Sequence, residues 1–354
     1  MSVIGALLLI LLAGVINGSY ALPSKYMGRW RFENIWLQFA LWTFVVLPWT
    51  LMLLVEPDIV KIYRAAPSSL LRLMLAGGFA FGVGQVCFAV AFDMIGMGLS
   101  FVINVGLGMS LGFLLPLLIQ HPREIPTPFG LATLLGTALA GLGLLFSNHA
   151  GRLRDRERKK AEAPGDATGG ASAARGRRHA MGVLLTVLTG LTSAGQNAVF
   201  SMTAGLQRLA VKMGAGSFAA SSVLWPGFLS SAFVPFALYT LYLHRRNRSF
   251  ALYKEAGAAK YHLLAVVMGV AWYGSLALYS KASRIIGDLG PLVGWPMFMA
   301  LIILTSNFWG WRHGEWEASG TSAKRVMKWG LACLVVSVVV LGYGSSLRGH
   351  DLVK

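Results

Sequence analysis

Ten long runs of apolar residues constrain this chain more than any motif does. They cover residues 3–22, 35–55, 70–92, 97–119, 128–148, 181–203, 217–243, 261–282, 288–311 and 324–345. A helix that crosses the hydrocarbon core of a bilayer needs about 20 such residues. Only 13% of the 354 residues are charged, whereas about 25% is usual in a soluble domain. The sequence therefore predicts an all-α polytopic membrane protein with ten transmembrane helices, numbered here as spans 1 to 10.

The charge distribution predicts the orientation of these spans. The formal net charge is +17, but the basic loops of membrane proteins face the cytoplasm, so this charge does not require a nucleic-acid partner. Lys and Arg are more frequent in the loops that follow odd-numbered spans, and the segment 149–180 alone holds nine of them. We therefore expect these loops in the cytoplasm, both termini outside, and the lipid bilayer as the surrounding partner.

The segment 149–180 also differs from the other loops in kind. It begins with a run of Arg and Lys and continues with Ala, Gly, Ser and Pro. Such a composition buries too little apolar surface to offset the entropy of ordering. We interpret it as a flexible basic cytoplasmic linker between a first half, residues 1–148, and a second half, residues 181–345. Residues 346–354 form a C-terminal tail.

The two halves carry a weak internal repeat. Gly82-Val83-Gly84-Gln85, followed by Ile95-Gly96, corresponds to Trp272-Tyr273-Gly274-Ser275, followed by Ile286-Gly287. Amide side chains also occur late in both spans 1 and 6. Because each half has five spans, the second must be inverted in the membrane, which predicts two inverted five-helix repeats. Inverted repeats are typical of secondary transporters, and their substrate site lies near the midplane.

Neutral polar and aromatic side chains inside the spans are the candidates for that site. A buried amide costs free energy unless it is hydrogen-bonded, and one alternative is an interhelical hydrogen bond worth about 1 kcal/mol. The other alternative is a pocket in which amides bind hydroxyl groups and indole rings stack on a sugar. The predicted substrate-binding residues are Asn17, Gln85, Asn104, Gln196, Asn197, Trp225, Trp272, Tyr273 and Trp295.

The chain lacks the residue patterns of an enzyme. It has no paired His motif on a span, no phosphate-binding loop and no nucleophile elbow, and its two Cys residues lie apart in apolar segments. We therefore predict no catalytic activity, no metal and no cofactor. Asp93 at the end of span 3 and Asp288 at the start of span 9 are the predicted proton-coupling groups, since carboxylates near a transport pathway can exchange protons. The alternative is that both are ordinary helix-end carboxylates.

Several short stretches resemble one family of transporters. They are Trp30-Arg31-Phe32-Glu33-Asn34-Ile35-Trp36, Leu47-Pro48-Trp49, Gly82-Val83-Gly84-Gln85, Ile95-Gly96-Met97-Gly98, Ser193-Ala194-Gly195, Trp272-Tyr273 and Gly314-Glu315-Trp316. Over residues 5–345, apart from the linker, the chain resembles the L-rhamnose–proton symporters of the drug/metabolite transporter superfamily.

The resemblance implies a defined fold and function. It implies two five-helix halves and the uptake of L-rhamnose or a similar deoxyhexose together with a proton, in the bacterial inner membrane. Two other functions stay open at this point. One is export of another small metabolite or drug of the same superfamily. The other is a membrane sensor that transports nothing.

Overall fold

The computed structural model describes residues 3–95, 97–162, 172–317 and 319–351, and no β-strand occurs among them. Ten of its helices are long and apolar enough to cross a membrane, which confirms the predicted all-α membrane fold. Spans 1 to 5 are Val3–Ser19, Phe32–Val55, Ser68–Ile95, Met97–Gln120 and Pro128–Glu162. Spans 6 to 10 are Ser172–Met202, Ser217–Asn247, Ala258–Ile286, Gly290–Arg312 and Thr321–Asp351.

Shorter helices lie between and within the spans. Ile59–Ala65 precedes span 3, Ala204–Lys212 follows span 6, and the 3₁₀ turn Ser249–Lys254 joins spans 7 and 8. Many large apolar side chains on the outward faces of the spans are exposed, as lipid contact requires. In lipid, a helix satisfies its own backbone polar groups, so uncharged apolar runs of this length fold as helices.

Span 2 contains a π-helical turn, Leu41–Val46, between two α-helical parts. The cause is Pro48, which has no N–H to donate to the carbonyl of Phe44, four residues earlier. The backbone hydrogen bonds there join residues five apart instead of four, and the N–H of Leu47 donates to the carbonyl of Trp42. Single π-helical turns of this kind are frequent at functional sites.

The contacts between spans follow a regular pattern. Span 1 packs on spans 8 and 9, and span 6 packs on spans 3 and 4. Span 2 packs on spans 7 and 8, and span 7 packs on spans 2 and 3. Spans 4 and 9 contact each other, as do spans 5 and 10. The set of contacts stays the same when each span of the first half is exchanged for its counterpart in the second, span 1 for span 6, span 2 for span 7 and so on. This supports the predicted inverted repeat, which stays a prediction together with the boundaries of the two halves.

Spans 3 and 7 approach closely because two glycines of span 3 face backbone. A Cβ atom added to Gly78 would clash with the carbonyl of Phe228, and one added to Gly82 would clash with the carbonyl of Ala232. Small residues four apart allow such backbone contact in membranes. The glycine pair therefore fixes the distance between a helix of the first half and a helix of the second.

The flanking helices extend into segment 149–180, where the sequence predicts a flexible basic linker. Span 5 continues through the basic run, and span 6 begins within the segment, whereas residues 163–171 lie outside the described part. Tertiary contacts explain the added helix in span 5. Glu157 Oε2 accepts a hydrogen bond of 2.8 Å from the backbone N–H of Gly320, in the loop before span 10. Composition alone cannot reveal such a contact.

Candidate functional site

Asn197 joins four spans, one from the first half of the chain and three from the second. Its side chain is fully buried on span 6, and Nδ2 donates to the carbonyls of Gly112 at 2.8 Å and Pro291 at 3.3 Å. Its Oδ1 accepts a hydrogen bond of 2.6 Å from the hydroxyl of Tyr279. The Gly112 carbonyl needs an outside donor because Pro116, four residues later, has no N–H. The amide thus satisfies a carbonyl that the proline in span 4 leaves free.

Two of the predicted indoles also have internal partners. Trp225 is fully buried, donates from Nε1 to Ser280 Oγ at 2.7 Å, and stacks on Phe200 with ring centroids 5.5 Å apart. Trp295 is 1% exposed and donates from Nε1 to the carbonyl of Gly108 at 2.9 Å. Both rings pack in the fully buried core in this conformation.

A second group of predicted residues meets where spans 1, 2 and 8 contact. Asn17 Nδ2 donates to Ser275 Oγ at 2.8 Å, and Ser275 Oγ donates to the carbonyl of Trp272 at 2.6 Å. The half-buried Trp272 ring lies 5.7 Å from the ring of Phe44 and 6.5 Å from that of Phe39. Asn17 and Trp272, which are distant in sequence, are therefore parts of one local structure.

Polar atoms without a partner also lie along the contact between spans 2 and 8. Among the described residues, the buried Tyr273 hydroxyl and Thr43 Oγ1 have no hydrogen-bond partner. Thr43 belongs to the π-helical turn and faces Gly269, which is one helical turn before Tyr273 on span 8. Leaving a buried hydroxyl unpaired costs about 1–3 kcal/mol. A bound ligand with hydroxyl groups would remove that cost.

The remaining predicted amides lie on spans 3, 4 and 6. Asn104 Oδ1 accepts a hydrogen bond of 2.9 Å from Ser193 Oγ, and Gln196 is 5% exposed beside Asn197. Gln85 is half-buried on span 3, one turn after Phe81, whose ring lies 6.3 Å from that of Phe44. Gln85 thus continues the face of span 3 that meets the aromatic group around Trp272.

An open cavity of about 590 Å³ lies at the ends of spans 4, 6 and 8 and the start of span 9. Its polar lining includes Ser201, Gln207, Arg284 and the exposed Asp288. Phe200 also lines it, and the Phe200 ring stacks on that of Trp225. Of the eleven predicted site residues, Asp288 is the one that lines this cavity, and the side chain of Asp93 lies outside the described residues.

Two ion pairs lie at the opposite end of the protein. Glu315 Oε1 is 2.7 Å from Lys25 Nζ, and Oε2 is 3.4 Å from Arg154 Nη1. The hydrogen bond from Lys25 and the two positive charges hold the pKa of Glu315 below its ordinary value. In the part of the chain that the structure describes, no three His, Cys, Asp or Glu residues are grouped to hold a metal ion.

Several residues of these groups are not predicted by any pattern in the sequence. Tyr279, Ser275 and Thr43 are ordinary residues of apolar helices, and no spacing distinguishes them. The proline in span 4 was a usable signal, since a proline frees the carbonyl four residues earlier and calls for a donor on a neighbouring helix.

Comparison with known proteins decides the family. The family model of the L-rhamnose-proton symport protein (RhaT) matches residues 2–346. The chain belongs to this family. It is therefore a multi-pass membrane transport protein rather than an enzyme, as the sequence predicts.

Individual relatives are distant but cover nearly the whole chain. An L-rhamnose-proton symporter of Pectobacterium atrosepticum is 21% identical over 334 residues, which are 92% of this chain and 93% of that protein. An L-rhamnose-proton symporter of Yersinia pestis is 22% identical over 329 residues, or 91% and 92% of the two chains. A protein of the same name from Yersinia pseudotuberculosis is similar to the same extent.

Proposed function

We propose that this protein takes up L-rhamnose, or a similar deoxyhexose, together with a proton across the bacterial inner membrane by alternating access. The observation that carries this proposal is the family match over residues 2–346. The pairing of each span with spans of the other half supports it, because alternating access requires two halves that can move against each other.

We propose that the sugar binds between spans 1, 2, 3 and 8, beside Trp272. The ring of Trp272 offers an apolar face for the methyl group and ring carbons of a deoxyhexose. Asn17 hydrogen-bonds to Ser275 on span 8, and Gln85 follows Phe81 by one turn on span 3. The Tyr273 hydroxyl is buried without a partner among the described residues. Hydroxyl groups of a sugar can hydrogen-bond to all three polar side chains.

The other predicted residues have different places in this proposal. Asn104, Asn197, Trp225 and Trp295 have internal hydrogen-bond partners in this conformation. They, together with Gln196, line the path only after the helices have moved. Asp93 and Asp288 stay the carboxylates that the sequence analysis proposes for proton coupling.

Uptake into proteoliposomes tests the function. With an inward proton gradient, radiolabelled L-rhamnose should accumulate above its external concentration, and a protonophore should abolish the accumulation. Proton movement in the absence of rhamnose, or outward movement of a different solute, would favour the exporter. Binding without transport would favour the sensor.

Tyr273→Phe tests the site, with the lipid-exposed Tyr343→Phe as its matched control. Removing an unpartnered hydroxyl costs no protein hydrogen bond, so Tyr273→Phe should leave stability unchanged or raise it while rhamnose affinity falls. Unchanged affinity in Tyr273→Phe would exclude this residue from the sugar site.

A further inference from the structure

A buried polar cluster lies at the end of the protein opposite the cavity, where span 2 begins and span 7 ends. Glu33 is 2% exposed, and its Oε1 accepts hydrogen bonds from Ser249 Oγ at 2.7 Å and Asn247 Nδ2 at 3.0 Å. His244 is fully buried, with Nδ1 2.8 Å from Ser249 Oγ and Nε2 3.0 Å from the Tyr253 hydroxyl. Among the carboxylates whose exposure the structure describes, Glu33 is the buried one.

Counting protons shows that this cluster accommodates two protonation states of His244. The one proton of Ser249 goes to Glu33, so Nδ1 of His244 must carry a proton and donate to Ser249. The Tyr253 hydroxyl lies within hydrogen-bond distance of both His244 Nε2 and the carbonyl of Asn34, at 3.1 Å. With neutral His244, Tyr253 donates to Nε2. With protonated His244, Nε2 donates to Tyr253, and Tyr253 turns its proton to Asn34.

We propose that His244, with Glu33 as its counter-charge, binds and releases the transported proton. A hydronium ion transfers a proton to the lone pair of Nε2, so one of its O–H bonds breaks as the N–H bond forms, and release to water reverses this step. Rotation of the Tyr253 hydroxyl keeps His244 and Tyr253 hydrogen-bonded in both states. This inference rests on the proposed proton symport, and it assigns the coupling to residues other than Asp93 and Asp288.

The chemistry of histidine suits this role better than an exposed aspartate does. An unperturbed histidine titrates near pH 6.5, and an unperturbed aspartate near pH 3.9. Asp288 is exposed on the open cavity, whereas His244 is fully buried among polar partners. A buried imidazolium needs a compensating negative charge, and Glu33 supplies it through Ser249.

Two other titratable or charged groups lie around the cluster, and they come from two further segments. His262 of span 8 has Nε2 3.2 Å from the carbonyl of Tyr253, and Arg31 Nη1 donates to the carbonyl of Asn247 at 3.1 Å. Burial, and secondly the Glu33 charge, raise the pKa of Tyr253, so its hydroxyl keeps its proton. Because span 2 belongs to the first half and span 7 to the second, separating the halves here would expose His244 to water.

The test compares proton-driven uptake with exchange. His244→Gln keeps a hydrogen-bond donor and an acceptor but cannot hold the extra proton. We expect it to lose uphill accumulation of rhamnose and to keep counterflow exchange, which needs no net proton movement. His313→Gln, an exposed histidine in the loop after span 9, is the control and should keep both activities. The proposal would be overturned if His244→Gln still accumulated rhamnose uphill. It would also be overturned if both activities fell by the same factor as the amount of folded protein.

A second measurement does not depend on transport. In ¹⁵N-histidine NMR spectra of the full chain, one resonance whose chemical shift changes with pH should disappear in His244→Gln. In Glu33→Gln, the histidine that gives this resonance should bind its proton less tightly, because the negative charge of Glu33 is absent. Absence of such a resonance would refute the role of His244. Failure of the wild-type protein to accumulate rhamnose would refute the proposed function instead, and the titration would still report on His244.

Discussion

Asn197→Ala should destabilise the protein more than loss of any other predicted site amide. The substitution removes hydrogen bonds to Gly112, Pro291 and Tyr279 at 2.8, 3.3 and 2.6 Å. It leaves the Gly112 carbonyl and the Tyr279 hydroxyl buried without these partners. An orphaned buried group costs about 1–3 kcal/mol in water-soluble proteins, and an interhelical hydrogen bond in a membrane averages about 0.6 kcal/mol. We therefore expect a loss of about 2–4 kcal/mol in unfolding free energy.

Reversible unfolding in mixed micelles, followed by tryptophan fluorescence, measures this loss. Asn104→Ala is the matched control, because Asn104 is half-buried and accepts a single side-chain hydrogen bond, from Ser193. It should lose about 1 kcal/mol. The double variant Asn197→Ala with Tyr279→Phe should lose less than the sum of the single variants, since the hydroxyl that would be orphaned is absent. Equal losses for Asn197→Ala and Asn104→Ala, or strict additivity, would refute the network.

Three further predictions concern packing, pH and orientation. Gly82→Ala should lower the yield of folded protein, because its Cβ would clash with the carbonyl of Ala232, whereas Gly141→Ala meets no atom within 4 Å and should express normally in a parallel membrane preparation. Glu315→Gln should lower stability by less than about 1 kcal/mol above pH 4.5, because the partners of Glu315 are partly exposed. Because folding lowers the pKa of Glu315, its contribution to stability is lost as the pH falls through that pKa. Acid unfolding curves of Glu315→Gln and wild type should therefore converge at low pH. Arg156→Cys, at an exposed position, should react with an impermeant maleimide only after permeabilisation, and reaction in intact cells would reverse the predicted topology.

The spans could be predicted because the bilayer imposes a simple requirement on the sequence. About 20 apolar residues without charge are needed for each crossing, and all ten predicted runs correspond to helices of sufficient length. Hydropathy does not indicate how far span 5 extends beyond its apolar run, because packing contacts determine this. Span 5 continues beyond residue 148 through Arg154 and Glu157, which contact residues just before span 10. Charged residues like these are good helix formers, and only the folded structure shows what fixes them.

Side-chain partners were beyond the reach of the sequence for a related reason. An amide in an apolar run must find a partner, but the run does not say on which helix. Asn17 meets Ser275 and Asn104 meets Ser193, across 258 and 89 positions of the chain. The depth of each residue in the membrane follows from its position in its span, whereas its neighbours follow from the packing of all ten.

The prolines in the spans separate structural polar groups from those left for a ligand. Pro116 frees the carbonyl of Gly112, and Asn197 satisfies it, so this amide has a structural task whatever the protein transports. Pro48 has a different result, because the chain responds with a π-helical turn, and Thr43 within that turn is left without a partner among the described residues. The Tyr273 hydroxyl, on the helix that this turn faces, is unpartnered as well. An amide that satisfies a backbone carbonyl has less hydrogen-bonding capacity left for a sugar, whereas a hydroxyl without a partner among the described residues keeps its full capacity. The contact between spans 2 and 8 is therefore the region in which variants should separate sugar affinity from stability.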